Sequence, residues 1–168
     1  ILAQNPGSTV AGAQAQLAAA LNIPAGVNLT TYDPLAGALA SDPSSTAVLK
    51  AGAKVQDTLV QVSALLQGAS SQPQAQVANA AVKVMAEKVS SGQSLDLTQS
   101  STVQSVIQRT GQDRGTTLSA AVQESTANVI ANGNQIKDDA AARAGSQLED
   151  CREITRTDVI TQGEVALA

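Results

Sequence analysis

Few of the 168 residues in this chain are of types that do chemistry, and those few are spaced for contact rather than catalysis. Tyr32 is the single aromatic residue, and it stands beside Asp33 in Thr30-Thr31-Tyr32-Asp33-Pro34-Leu35-Ala36. An exposed phenol next to a carboxylate could touch a partner. The same residues also read as a helix start, with Asp33 as cap ahead of Pro34 and Tyr32 folded as a lid over a small apolar neighbour. Tyr32 and Asp33 are therefore the candidate contact or lid residues.

The other chemistry-bearing types are thinly spread. There is no His, so Ser-His-Asp and Cys-His nucleophile arrangements have no base, and the commonest zinc ligand is missing. Cys151 is alone, which excludes thiolate clusters, CxxC redox chemistry and an internal disulfide. Its neighbours Glu149, Asp150 and Glu153 disfavour the thiolate, leaving a bland free thiol or an intermolecular bridge. The acid pairs Asp138-Asp139 and Glu149-Asp150 could interest calcium, but they form no DxDxDG loop and read as helix-surface charge beside Lys137, Arg143 and Arg152. No phosphate-binding glycine loop occurs. Asn28-Leu29-Thr30 fits a glycosylation sequon, a short pattern common by chance. The residues thus predict no enzyme, with no catalytic, cofactor-binding or metal-binding residue, and no cofactor.

Composition narrows the class further. Hydrophobic residues make up 43% of the chain while aromatics make up 1%, so the core must be built from Val, Leu, Ile and Ala. The abundance of Ala and Gln favours helices. A buried Val or Leu contributes roughly 1.5–3 kcal/mol, and Ala much less, so modest stability is expected unless self-association or a ligand adds to it. The formal charge is −4, and Lys and Arg are scattered without a basic stripe, which argues against nucleic acid. No apolar run approaches the roughly 20 residues of a membrane span. The start at Ile1-Leu2-Ala3, without Met, reads as a processed product or a piece of something longer.

Start and stop signals then place the elements that would position Tyr32 and Asp33. Ser8 or Thr9 caps a first helix reaching about Leu21, ahead of a loop at residues 23–28. A short second helix starts near Asp33-Pro34. Asp42-Pro43 opens a third that ends near Gln67, with a seam of Val48, Gly52, Val55, Leu59, Val62 and Leu66 in which Gly52 permits a close neighbour. Pro73 opens a fourth through about Val89, carrying Ala78, Val82, Met85 and Val89. Thr98 caps a fifth with Val103, Val106 and Ile107, and Gly111 and Gly115 bracket a break. A sixth spans residues 116–131 with Leu118, Val122 and Val129 inward, and Gly133-Asn134 breaks again. The expected fold is all-α: a compact bundle of about six helices over residues 1–133, with a more charged C-terminal helix or tail over 134–168. Residues 154–168 carry no clear signal.

The stretch from Leu21 to Ala36, Leu-Asn-Ile-Pro-Ala-Gly-Val-Asn-Leu-Thr-Thr-Tyr-Asp-Pro-Leu-Ala, together with Ala47 to Thr58, resembles helical modules of large secreted bacterial surface proteins. These are the haemolysin-type calcium-binding (RTX-like) and cadherin-like adhesin group, often cyanobacterial or proteobacterial. The similarity covers roughly residues 17–110 and carries no catalytic signature. It implies an extracellular or cell-surface setting and a helical spacer or interaction module beside calcium-binding repeats. The chain lacks their GGxGxDxUx nonapeptide, so calcium enters only through such a parent protein.

The expected function is a non-catalytic structural, adhesive or interaction module, with a protein partner or self-association. The alternatives are a signalling or scaffold bundle, and a small-ligand carrier with an aliphatic cavity.

Overall fold

The computed structural model describes residues 1–3 and 6–136. Helix starts follow the sequence signals closely. Thr9 caps α1 (Val10–Ala20), its hydroxyl accepting from the Gly12 N–H at 3.1 Å. Asp33 and Asp42 cap α2 (Pro34–Leu39) and α3 (Pro43–Gly68), each ahead of a Pro whose missing N–H would have had no helical partner. Pro73 precedes α4 (Gln74–Ser90). The fifth helix, α5 (Ser100–Asp113), has Gln99 rather than Thr98 at its cap position. Thr98 is drawn back instead to Asp96, whose Oδ1 accepts its N–H at 3.0 Å and its hydroxyl at 2.6 Å.

Four of these helices end in one motif. The residue after the cap turns left-handed, and the next returns its N–H to a carbonyl near the helix end. Gly92 (φ 73°) and Gly115 (φ 65°) hold the turn after α4 and α5, while Asn22 (φ 54°) and Ser41 (φ 61°) hold it after α1 and α2. The closing bonds are Gln93 to Lys88 at 3.0 Å, Thr116 to Gly111 at 2.8 Å, Ile23 to Ala18 at 2.8 Å and Asp42 to Gly37 at 2.9 Å.

A sixth helix, α6, spans residues 120–136, and the described residues contain no strand. The chain is an all-α helical bundle, as its composition predicts. Two expectations about α6 fail. It starts later than residue 116, because Thr116 is used in closing α5. Nor is Gly133-Asn134 a break: the helix continues through both, and Asn134 is only 1% exposed. Its amide donates to the Thr58 hydroxyl at 3.1 Å and the Leu97 carbonyl at 2.9 Å, so it is an anchor in the bundle. A boundary between 133 and 134 therefore falls inside α6. The acid pairs, Cys151 and the rest of 137–168 lie outside the described residues.

The main core joins Val62 and Leu66 of α3, Val77 to Val89 of α4, Val103, Val106 and Ile107 of α5, and Ala127, Ile130 and Ala131 of α6. Leu95 and Leu97 enter it from the α4–α5 connection, where the Leu95 N–H donates to the Ala20 carbonyl at 3.1 Å. A satellite cluster of Ala18, Ile23 and Ala51 joins the end of α1 to α3 by way of the loop that follows α1.

The inward rows follow the heptad expectation in α3 and α4 in large part and depart from it in α6. In α3 the buried positions include Val62 and Leu66 as expected, with Ala51 and Thr58 beside them, and Val48, Val55 and Leu59 pack half-buried on the two clusters, while Gly52 faces open space. In α4 they are Val77, Ala81, Val84, Met85 and Val89, with Val82 turned out. In α6, Val122 and Val129 point outward, and only Leu118, in the preceding loop, packs on the core as expected. A straight helix turns 3.6 residues per turn and drifts about 20° per heptad from a seven-residue row. Where two rows compete, the one meeting more neighbours is buried.

Candidate contact site

The segment carrying Tyr32 and Asp33 is wound tightly before α2 begins. Asn28 Oδ1 accepts from the Thr30 N–H at 3.2 Å and its hydroxyl at 2.7 Å, and the Asn28 carbonyl accepts from the Tyr32 N–H at 2.8 Å. These bonds aim the Tyr32 ring across α2. Asp33 spends Oδ1 on the N–H groups of Leu35 and Ala36, at 2.9 and 3.1 Å.

Tyr32 and Asp33 thus act at different places although adjacent in sequence. The Tyr32 hydroxyl donates to Asp42 Oδ2 at 2.8 Å and lies 3.1 Å from the Ser45 hydroxyl. Asp42 Oδ1 accepts from the Ser44 N–H at 2.8 Å, and the Ser45 hydroxyl donates to the Asp42 carbonyl at 2.6 Å. The ring passes over Gly37 so closely that a Cβ there would lie 2.6 Å from the Tyr32 oxygen and 2.7 Å from the Ser45 oxygen. The small neighbour beneath Tyr32 is therefore Gly37, and the phenol pins α2 to the first turn of α3.

The pin has an electrostatic signature. The Ser44 backbone N–H, followed by the Tyr32 hydroxyl, holds the Asp42 carboxyl below its ordinary 3.8 despite partial burial. For the phenol, the Ser45 hydrogen bond acts downward, but burial and the Asp42 hydrogen bond and charge outweigh it, leaving Tyr32 above its ordinary 10.0.

What the pin holds is an apolar surface the sequence reading missed. No residue of α2 is buried, and Leu35 and Leu39 are 67% and 89% exposed, one helical turn apart. Their signal was present as two Leu at a spacing of four in a six-residue helix, overshadowed by the Tyr-Asp pair.

Other concavities hold less. A pocket of about 180 Å³ beside Leu66, Ile107, Gly111 and Leu118 is smaller than the roughly 300 Å³ at which small-molecule sites begin. An open groove of about 340 Å³ between α4 and α5 is lined by Asn79, Lys83, Asp113 and Arg114. Its cations already have partners: Lys83 pairs with Asp113 at 3.3 Å and Glu87 at 3.7 Å, and Arg114 donates to Gln72 and Gln76. Among the described residues no three metal-ligating side chains cluster, and no helix is long and apolar enough to cross a membrane. Comparison of the chain with models of protein families, with curated proteins and with solved structures finds no match.

Proposed function

We propose that this chain is a non-catalytic interaction module, serving as a helical spacer with an adhesive face in a secreted or cell-surface bacterial protein. One observation carries the interaction reading: α2 is held rigidly by Tyr32 and Asp42, yet it turns Leu35 and Leu39 to solvent. An apolar pair left wet gains nothing on folding and is removed from water only against a partner, and a pinned helix loses little freedom on binding. Such an arrangement suits insertion of one helical turn into an apolar groove of a partner protein. The surface setting rests on the resemblance of residues 21–36 and 47–58 to helical modules of large secreted proteins, and calcium belongs to that parent setting alone.

The small-ligand carrier is less favoured, because the pocket beside Leu66 holds only about 180 Å³ and the larger groove of about 340 Å³ is open and lined by charged side chains that already have partners. The experiment displays the parent protein on cells and compares attachment of wild type with Leu35→Ser/Leu39→Ser. Retained helical content with lost attachment supports the reading. Equal attachment, or a parent protein that protease cannot reach from outside intact cells, overturns it.

A further inference from the structure

Gly133 sits inside α6 although the fold does not require a glycine there. Its backbone is not left-handed, and a Cβ built on it would meet nothing within 4 Å. A glycine in a helix interior is among the least favourable residues, and no close approach offsets that cost here. What the glycine does change is the chemistry of its neighbour. Asn132 is exposed, and Asn132-Gly133 is the sole Asn-Gly pair in the chain. With no Cβ on the following residue, the backbone nitrogen is open to approach. The chain can then bend freely enough to bring that nitrogen onto the Asn carboxamide.

We infer that Asn132-Gly133 is a self-modification site held shut by the helix, and that it makes opening of α6 irreversible. The Gly133 nitrogen attacks the Asn132 Cγ. An N–Cγ bond forms, the Cγ–Nδ2 bond breaks, and ammonia leaves carrying the backbone amide proton, giving a cyclic imide. Water then opens either of the two C–N bonds of the imide, leaving an aspartyl or isoaspartyl link at position 132. Within α6 two things prevent the first step. The Gly133 N–H is committed to a helical hydrogen bond, and a helical ψ of about −42° at Asn132 is far from the value a five-membered ring demands. Asn134, the next residue, is the latch. Its amide holds the Thr58 hydroxyl and the Leu97 carbonyl, while Ile130 and Ala131 are buried in the main core. Cyclisation therefore needs this part of α6 to leave the bundle, a local opening rather than global unfolding. Once the isoaspartyl link forms, the main chain runs through the former side chain and is one CH2 longer. Helical hydrogen bonds across position 132 lose register, and Asn134 no longer reaches its two oxygens. The opening is thus written into the covalent chain. This inference stands apart from the α2 reading, because it uses neither α2 nor any partner.

Peptide mapping of the full chain after incubation at neutral pH, with and without urea, tests it. The readouts are the mass shift from amide to acid and enzymatic methylation of isoaspartyl. In urea, wild type is expected to react at Asn132 ahead of every other Asn, and roughly tenfold or more faster than in native buffer. Asn134→Ala is expected to react about fivefold faster than wild type in native buffer and at the wild-type rate in urea. Thr58→Val, which keeps the shape and removes the hydroxyl, is expected to act in the same direction. Gly133→Ala, which fits the open space, is expected to keep helical content and to slow the reaction in urea roughly tenfold or more. The isoaspartyl product is expected to lose hydrogen-exchange protection at Ile130 and Ala131. Equal wild-type rates with and without urea, reaction at another Asn first, or an unslowed Gly133→Ala would overturn the proposal. So would no acceleration in either latch variant, an equal acceleration of both in urea, or a product as protected as wild type.

Discussion

Asn134 donates to the Thr58 hydroxyl at 3.1 Å across 76 residues of sequence, inside a core otherwise built of aliphatic side chains. Thr58 in turn donates to the Lys54 carbonyl at 2.8 Å, and Asn134 also reaches the Leu97 carbonyl. One amide therefore fixes α6 to α3 and to the α4–α5 connection. Replacing it leaves the Leu97 carbonyl without this donor in a dry environment, which costs about 1–3 kcal/mol. The Asn134 Oδ1 is buried without a partner, and its removal offsets part of that cost; Asn134→Ala is expected to lower urea-unfolding stability by about 1 kcal/mol, and an unchanged midpoint would remove Asn134 from the anchor role.

Two helical glycines should respond in opposite directions. Gly52 in α3 faces open space, so Gly52→Ala gains helix propensity of about 0.8–1.0 kcal/mol. Gly111 in α5 packs its Cα side against the Thr116 backbone, where a Cβ would come within 2.7 Å of the carbonyl oxygen. Backbone cannot step aside as a side-chain tip can, so Gly111→Ala is expected to cost about 1–3 kcal/mol. Paired thermal melts decide it: Gly52→Ala melts above wild type and Gly111→Ala below.

Ser41 occupies the left-handed turn after α2 at φ 61°, a conformation that disfavours a residue with a Cβ by roughly 1–2 kcal/mol. The Asp42 N–H to Gly37 carbonyl bond requires that turn. Ser41→Gly is expected to raise stability by about 0.5–1 kcal/mol, offset in part by the greater freedom of Gly in the unfolded chain. Chemical denaturation measures it, and a loss of stability would show that the Ser41 side chain contributes more than its backbone costs.

The Tyr32–Asp42 pin is directly observable, because the chain contains no Trp or Phe and Tyr32 alone fluoresces. Asp42 titrates below its unfolded value near 3.8, so its contribution is complete above that value and is lost as pH falls through the lower folded one. Tyr32 titrates above 10.0, so its contribution is present below that value and is lost as pH rises through the folded one. Asp96 adds to the acid limb. Burial pushes its carboxyl up, but hydrogen bonds from Thr98 and Gln99 and the Lys54 charge outweigh that and leave it low. Tyrosine emission is expected to change below pH 3.8 in wild type and not in Asp42→Asn. The phenolate absorbance midpoint is expected above 10 when folded and back near 10 in denaturant.

The sequence by itself determined where α1 to α4 begin and where α4 and α5 end, but not the bounds of α6. Thr9, Asp33-Pro34, Asp42-Pro43, Pro73, Gly92 and Gly115 act through their own backbone and nearest neighbours, so their effect is local and legible. It also determined the all-α class, through the Ala- and Gln-rich composition and the 3–4 spacing of aliphatics. The sequence singles out Tyr32 as its one aromatic residue but not its partner Asp42, since a hydrogen bond over ten residues has no sequence pattern. Tertiary structure alone decided which of two apolar rows each helix buries. In α4 Met85 and Val89 of the expected row are buried, and the burial of Val77 and Val84 with Val82 left outside depends on the surface of the neighbouring helices. The same is true of Asn134: beside Gly133 it reads as a turn, and only the Thr58 and Leu97 oxygens waiting in the core make it an anchor. Local propensity is weak beside a satisfied buried hydrogen bond, so the helix runs on.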